Sequence, residues 1–195
     1  MKLFIKALCA GFILTVVYSM VPFQAECADI SDNVFRLHIL ANSDSGEDQA
    51  LKLRVRDRIL ELTSNLFENT EDKETAERLA AAHLQELADA ASEEIAESGY
   101  AYPVRAELTR MPFDTRRYDD FTLPSGIYDA LRITIGEGKG HNWWCVMFPS
   151  LCVGSPDDGK VKEALGDNGY EVIKNEKREY KFFIIELFEN ISQIF

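Results

Sequence analysis

The most constraining stretch of the chain runs from Leu131 to Cys152, where both tryptophans and two of the four cysteines fall close together. Leu131, Ile133 and Ile135 alternate with Arg132 and Thr134, which is strand period. Gly136, Gly138 and Gly140 then permit a tight turn, and Trp143, Trp144, Val146 and Phe148 follow before Pro149, which cannot donate to a ladder, ends the run. The pattern predicts a β-hairpin with a Gly-rich tip at the centre of a sheet.

The remaining elements surround it. Val34–Leu40 reads as a strand, with Val34, Arg36, His38 and Leu40 on one face and Phe35, Leu37 and Ile39 on the other. After the turn cluster Ala41–Gly46, a helix is predicted from about Glu47 to Phe67, its inward stripe Leu51, Val55, Ile59, Leu62 and Leu66. A second helix, about Glu71 to Glu97, is capped by Thr70, ended by Gly99 and lined by Ala76, Leu79, Ala80, His83, Leu84, Leu87, Ala91 and Ile95. The short polar link predicts an antiparallel helical hairpin. Tyr102–Thr109 alternates as a strand, and Met111–Ser125 is polar, aromatic and Pro-bounded, an exposed loop and a contact surface. Val161–Leu165 reads as a short helix before a turn at Asp167-Asn168-Gly169, and 176–195 as a C-terminal helix. The fold class expected is α+β: an N-terminal strand, an antiparallel helical hairpin and an antiparallel sheet.

Residues 1–28 read as an address. Lys2 and Lys6 precede an uncharged apolar run, Ala7–Val21, and small residues surround a cleavage point near Ala28. A secretory signal is expected, a retained anchor being the alternative; residues 29–195 then form one extracytoplasmic domain. The chain carries 21 basic and 33 acidic side chains, net −12, and removing the leader makes it one unit more negative. Such a charge opposes binding to phosphate backbones, so no nucleic-acid partner is expected.

Export gives the cysteines a meaning. Cys145 and Cys152 are close enough for a disulfide worth about 2.5 kcal/mol, and two separate buried thiols fit the spacing equally well. For catalysis, Cys145 with His141 is the one nucleophile–base pair that proximity offers, and it defines an alternative reading, a secreted cysteine hydrolase. His38, His83 and His141 lack ligand spacing, and Gly136-Glu137-Gly138-Lys139-Gly140 precedes a strand rather than a helix, so neither a metal, a cofactor nor a phosphate loop is expected. Physics favours binding over catalysis.

Two segments carry a resemblance. Arg36-Leu37-His38-Ile39-Leu40-Ala41-Asn42-Ser43-Asp44-Ser45, followed by Asp48 to Lys52 and Val55-Arg56-Asp57, resembles the opening signature of the stage II sporulation protein R family. Pro124 to Ile133, then Ile135 to Gly138, Asn142 to Val146 and Phe148-Pro149, is similar to its second signature. The resemblance implies a non-enzymatic signal in endospore formation, exported into the space between the forespore and mother-cell membranes. There it would activate a membrane-embedded aspartic protease, stage II sporulation protein GA, which processes pro-sigma-E. The candidate partner-binding residues are Arg36, His38, Asn42, Asp44, Lys52, Arg56, Asp57, Glu137, Asn142, Trp143 and Trp144, with only one of the two tryptophans expected to face outward.

Overall fold

The computed structural model describes residues 2–67, 70–118, 120–151, 158–174 and 182. Its organising element is β1, Phe35–Leu40, all six residues of which are buried. Period-2 alternation gives β1 two faces of different character. Phe35, Leu37 and Ile39 pack into one core with Leu131, Ile133, Ile135 and Cys145, while the opposite face presents Arg36 and His38.

Helices cover the apolar face. α2, Gly46–Leu66, starts at Ser45, whose side chain accepts from the Asp48 N–H, and buries Leu51, Val55 and Ile59 as its periodicity requires. α3, Lys73–Ala82, is capped by Asp72 rather than Thr70, and α4, Leu84–Glu97, follows after a break at His83. The single helix expected over this region is therefore two. The break escapes the pattern because Ala76, Ala80, Leu87, Ala91 and Ile95 stay in phase across it. Gly99, at φ 84°, ends α4 as expected: its N–H donates to Ala96 and that of Tyr100 to Ile95.

The sheet differs from the expectation in its connectivity. β2 is Val104–Phe113, β5 Gly126–Ile135 and β6 Asn142–Phe148, with a two-stranded strap, β3 (Arg116–Arg117) and β4 (Thr122–Leu123), between β2 and β5. The order is β2-β5-β1-β6. β5 and β6 are thus not a hairpin: β1 lies between them, parallel to β5 and antiparallel to β6. The sheet is mixed, its other antiparallel pair being β2 with β5. Alternation alone cannot tell adjacent strands from strands two places apart. The six residues from Gly136 to His141 span two strand spacings, about 10 Å, with ease.

On the second face lies another core. α1, Lys2–Asn33, contributes Phe23, Cys27, Ile30 and Val34 beside it; α5, Asp158–Lys174, contributes Val161, Leu165, Val172 and Ile173. The strap adds Phe121 and Leu123. Two loop expectations are corrected here. β2 runs through Met111 and Phe113, so the exposed loop is shorter, and Asp167-Asn168-Gly169 lies inside α5, which is kinked at Gly166, φ 68°. Helical packing of Leu165 and Val172 on either side of the kink outweighs the local turn signal. The C-terminal helix expected at 176–195 lies outside the described residues except for Phe182, which is buried against Phe23 with ring centroids 5.3 Å apart.

Leu37 sits at the centre of this arrangement, fully buried between β5 and β6. Leu37→Ala is expected to destabilise by about 3 kcal/mol, within the 2–5 kcal/mol range of core truncations, read as a lowered midpoint in urea.

Candidate functional site

Asp48 organises the turn after β1. Its carboxylate, buried in the first turn of α2, accepts from Ser43 Oγ at 2.5 Å and Asn42 Nδ2 at 2.9 Å, and these bonds hold its pKa below the usual carboxylate range. Asn42 also reaches outward: its Oδ1 accepts the Glu137 N–H at 3.0 Å and its carbonyl that of Lys139 at 3.2 Å. The Ala41 carbonyl accepts from Gly140 at 2.9 Å. Asp44 Oδ1 accepts the His141 N–H at 2.6 Å and pairs with His141 Nδ1. Lys52 Nζ donates to Gln49 Oε1 at 2.7 Å and to the His141 carbonyl at 3.0 Å. The β5–β6 loop is thus sewn onto the β1–α2 turn. Gly140 is required there, because a Cβ would collide with the Ser43 carbonyl. Asn42, Asp44 and Lys52, expected as surface recognition residues, are engaged in this internal network, while the Glu137 side chain pairs with Lys139 at 2.7 Å in solvent.

The second face of β1 is different. Register aligns Trp144, His38, Arg132 and Glu107 in one row across β6, β1, β5 and β2, with Val146, Arg36, Ala130 and Thr109 in the next. His38 is buried; its ring stacks on Trp144 at 3.9 Å and 8°, and its Nε2 meets Asn142 Oδ1 at 3.0 Å. Trp144 also meets Phe113 edge-on at 4.7 Å and lies under the Arg116 guanidinium of the strap at 5.6 Å. Arg36, fully buried, sets its guanidinium 4.1 Å from the Phe113 ring centroid and 4.9 Å from that of Tyr128, and donates from Nη2 to Tyr118 Oη at 2.8 Å. Among the described residues, the buried side-chain nitrogens without a hydrogen-bond partner are Arg36 Nε and Nη1, His38 Nδ1 and Arg132 Nε, all on this face.

Electrostatics follow from that geometry. Burial pushes the His38 pKa down to about 4, with the nearby Arg132 and Arg36 charges acting in the same direction and the Asn142 bond opposing. Burial also lowers the pKa of Arg36. His38 is therefore neutral at pH 7, and donation from Nε2 to Asn142 leaves Nδ1 as an acceptor.

The other candidates lie apart from this face. Trp143 points to the opposite side, partly buried against the helical core, with the Arg56 guanidinium 5.1 Å above its ring; Arg56 Nε in turn donates to Asp57 Oδ1 at 2.8 Å. Both tryptophans are half-buried, so neither is the plainly outward residue that alternation suggested. Cys145 is buried and disulfide-bonded, and Cys9 and Cys27 are outside any disulfide. Cys152 lies outside the described residues. His141 is exposed and paired with Asp44. The Cys145–His141 nucleophile pair is corrected accordingly: the sulfur is oxidised and faces the helical core, so no thiolate is present to attack.

Comparison with known proteins gives a family. Residues 31–158 match the family described as stage II sporulation protein R. The chain belongs to this family. Over 135 residues, 69% of its length, it is 37% identical to stage II sporulation protein R of Bacillus subtilis strain 168, of whose length the match spans about 60%. No solved structure matches. The family region opens in the last turn of α1 and closes at the start of α5, so it holds the whole sheet, α2–α4 and the strap. Sequence reasoning missed Phe113, Tyr118, Tyr128, Arg116 and Arg132. The signal available was register: once Arg36 and His38 are placed on one face of a central strand, their neighbours on β5 and β2 follow.

The His38 shift generates a stability prediction. Between pH 6.5 and about 4 the unfolded chain takes up a proton at this histidine and the folded chain does not, so stability is full above pH 6.5 and lost as pH falls towards 4. The loss is about 3 kcal/mol at most, at roughly 1.4 kcal/mol per pH unit. His38→Gln is expected to flatten this part of the curve, measured as urea midpoints of both proteins from pH 7 to 4.

Proposed function

We propose that this protein is an exported signal of endospore formation that activates the membrane-embedded aspartic protease, stage II sporulation protein GA, and so triggers processing of pro-sigma-E. It acts from the space between the forespore and mother-cell membranes. It is a ligand, and the proteolytic chemistry belongs to its receptor. The observation that carries the reading is that the two signature segments of the family, distant in sequence, fold together. Arg36–Ser45 supplies β1 and its turn, while Pro124–Val146 supplies the strands on both sides and the loop tied to that turn.

The face proposed to meet the receptor is the row of Trp144, His38 and Arg132 with Arg36 beneath and Arg116 beside it. Arg116 is exposed on the strap and Arg132 is partly exposed, so an acceptor-bearing segment of the protease, a carboxylate or a run of carbonyls, meets their guanidinium groups, while the fully buried Arg36 fixes the rings beside them. Trp144 is the aromatic anchor. Arg116 and Arg132 on this face of an otherwise acidic body favour an acidic segment there.

The test co-expresses this chain with the protease and pro-sigma-E in a non-sporulating host and follows cleavage of the precursor. Cleavage is expected only with the exported chain. Trp144→Ala is expected to cost about 2 kcal/mol of receptor binding, some thirtyfold. Arg36→Met is expected to abolish processing while leaving the urea midpoint unchanged or higher, since an apolar isostere relieves a buried charge. Trp143→Ala, on the other face, should lower the midpoint yet still trigger cleavage while folded. Absence of processing by the wild-type chain, with the protease inserted and competent, would sink the receptor reading.

A further inference from the structure

We propose that α1 is retained as a membrane anchor built into the domain, rather than removed as a leader. The proposal rests on the exported reading given above. The helix has two halves with opposite surroundings. Toward its amino end the described large apolar side chains are mostly bare: Leu3 and Tyr18 are 82% exposed, Phe12 71% and Leu14 68%. From Phe23 onward they are core, with Phe23 2%, Cys27 5% and Ile30 0% exposed. The chain passes between the two as one helix, Pro22 lying at the junction.

The bare half fits a bilayer. Leu3–Val21, at 1.5 Å per residue, is about 28 Å long, close to a hydrocarbon core of roughly 30 Å, with Lys6 near its first end able to reach back to the interface along its flexible stem. The helix is long and apolar enough to cross a membrane. Its charges are asymmetric: Lys2 and Lys6 lie at the first end, and Glu26, Asp29 and Asp32 at the other. That places the amino terminus on the cytoplasmic side and the domain outside.

A signal peptide would satisfy those observations equally. What it would not do is build the core of the exported domain. Phe23 packs against Phe182 with its ring tilted by 43°, Ile30 lies over Gly169 of α5, and both share the second core with Leu123, Tyr128 and Val146. Cleavage near residue 28 would strip Phe23 and Cys27 from that core and leave Ile30 on a stub of helix too short to hold itself. Retention keeps the core closed. It also leaves no linker between bilayer and domain, so the sheet is held at the membrane surface in one orientation, as suits a ligand whose receptor is itself in a membrane. Burial of Cys27 further withdraws its sulfur from lipid attachment.

The test needs no receptor. The full chain is produced in a secretion-competent Gram-positive host, and its intact mass, fractionation and thiol count are read. The expected species has a mass near 22.1 kDa, stays in the membrane pellet through an alkaline carbonate wash, and titrates two thiols after unfolding without reductant, Cys9 and Cys27. A released species cut anywhere ahead of Pro22 or near residue 28 overturns the anchor. A second pair of proteins joins a foreign cleavable leader ahead of Pro22 or ahead of Asp29. The first is expected to be released and folded; the second is expected to yield no folded protein or a urea midpoint lower by about 1 M. Equal midpoints overturn the docking argument. A full-length, membrane-held chain that fails to trigger precursor processing counts against the function proposed above and leaves the anchor standing. Processing by a chain cut near residue 28 does the reverse.

Discussion

Enclosure of β1 on both edges and both faces is the constraint from which the rest of the architecture follows. Six residues must satisfy their ladder with β5 on one side and β6 on the other while burying alternate side chains in two separate cores. The apolar side chains of one face recruit α2, α3 and α4, whose alanines Ala76, Ala80 and Ala91 let backbones approach the sheet closely. The opposite face, carrying Arg36 and His38, cannot be covered by another purely apolar stripe. It is closed instead by aromatic rings of β2 and β5, and farther along by α1 and α5.

Burial of Arg36 is the costly term in this design. A guanidinium removed from water without a carboxylate loses several kcal/mol of hydration, and two ring faces with one tyrosine hydroxyl return only part of it. The neighbouring Arg132 and His38 carry unpartnered nitrogens as well. Stability alone would favour methionine or leucine at such a position. A fold whose unpartnered buried guanidinium and imidazole nitrogens gather on one face marks that face as selected for something other than stability.

Much of the architecture was legible in the residues. The α2 boundaries, the Gly99 stop, the two-faced strand at Val34–Leu40 and the end of β6 at Pro149 all rest on local chemistry that acts within a few positions. What was not legible was relational. The alternation of Leu131–Ile135 and of Trp143–Phe148 is the same whether the strands are neighbours or flank a third, and the insertion of β1 between them depends on pairing a segment some ninety residues away. Likewise the polar residues of the Asn42–Lys52 segment read as surface because nothing local shows that a loop from residues 136–141 folds down onto them. Arg36 and His38 are recognition residues by type, yet their burial follows only from β1 being central.

The same network narrows where recognition can occur. A side chain that already spends its hydrogen bonds internally gains little by meeting a partner, since each bond made outward would be one broken inward. Asn42 uses Oδ1 and Nδ2, Asp48 accepts from two neighbours, and Lys52 is held by Gln49 and the His141 carbonyl. These residues fix the position of the loop that leads into β6. Trp144 enters β6 two residues after Asn142, whose side chain holds His38, and His38 in turn is the surface on which Trp144 stacks. The turn network therefore sets the loop, the loop sets the start of β6, and the start of β6 sets the aromatic row beside Arg36. Polar signature residues and the aromatic row beside Arg36 are distinct sets joined in series, which is why a motif rich in Asn, Ser and Asp lies apart from the tryptophan and arginine that it positions.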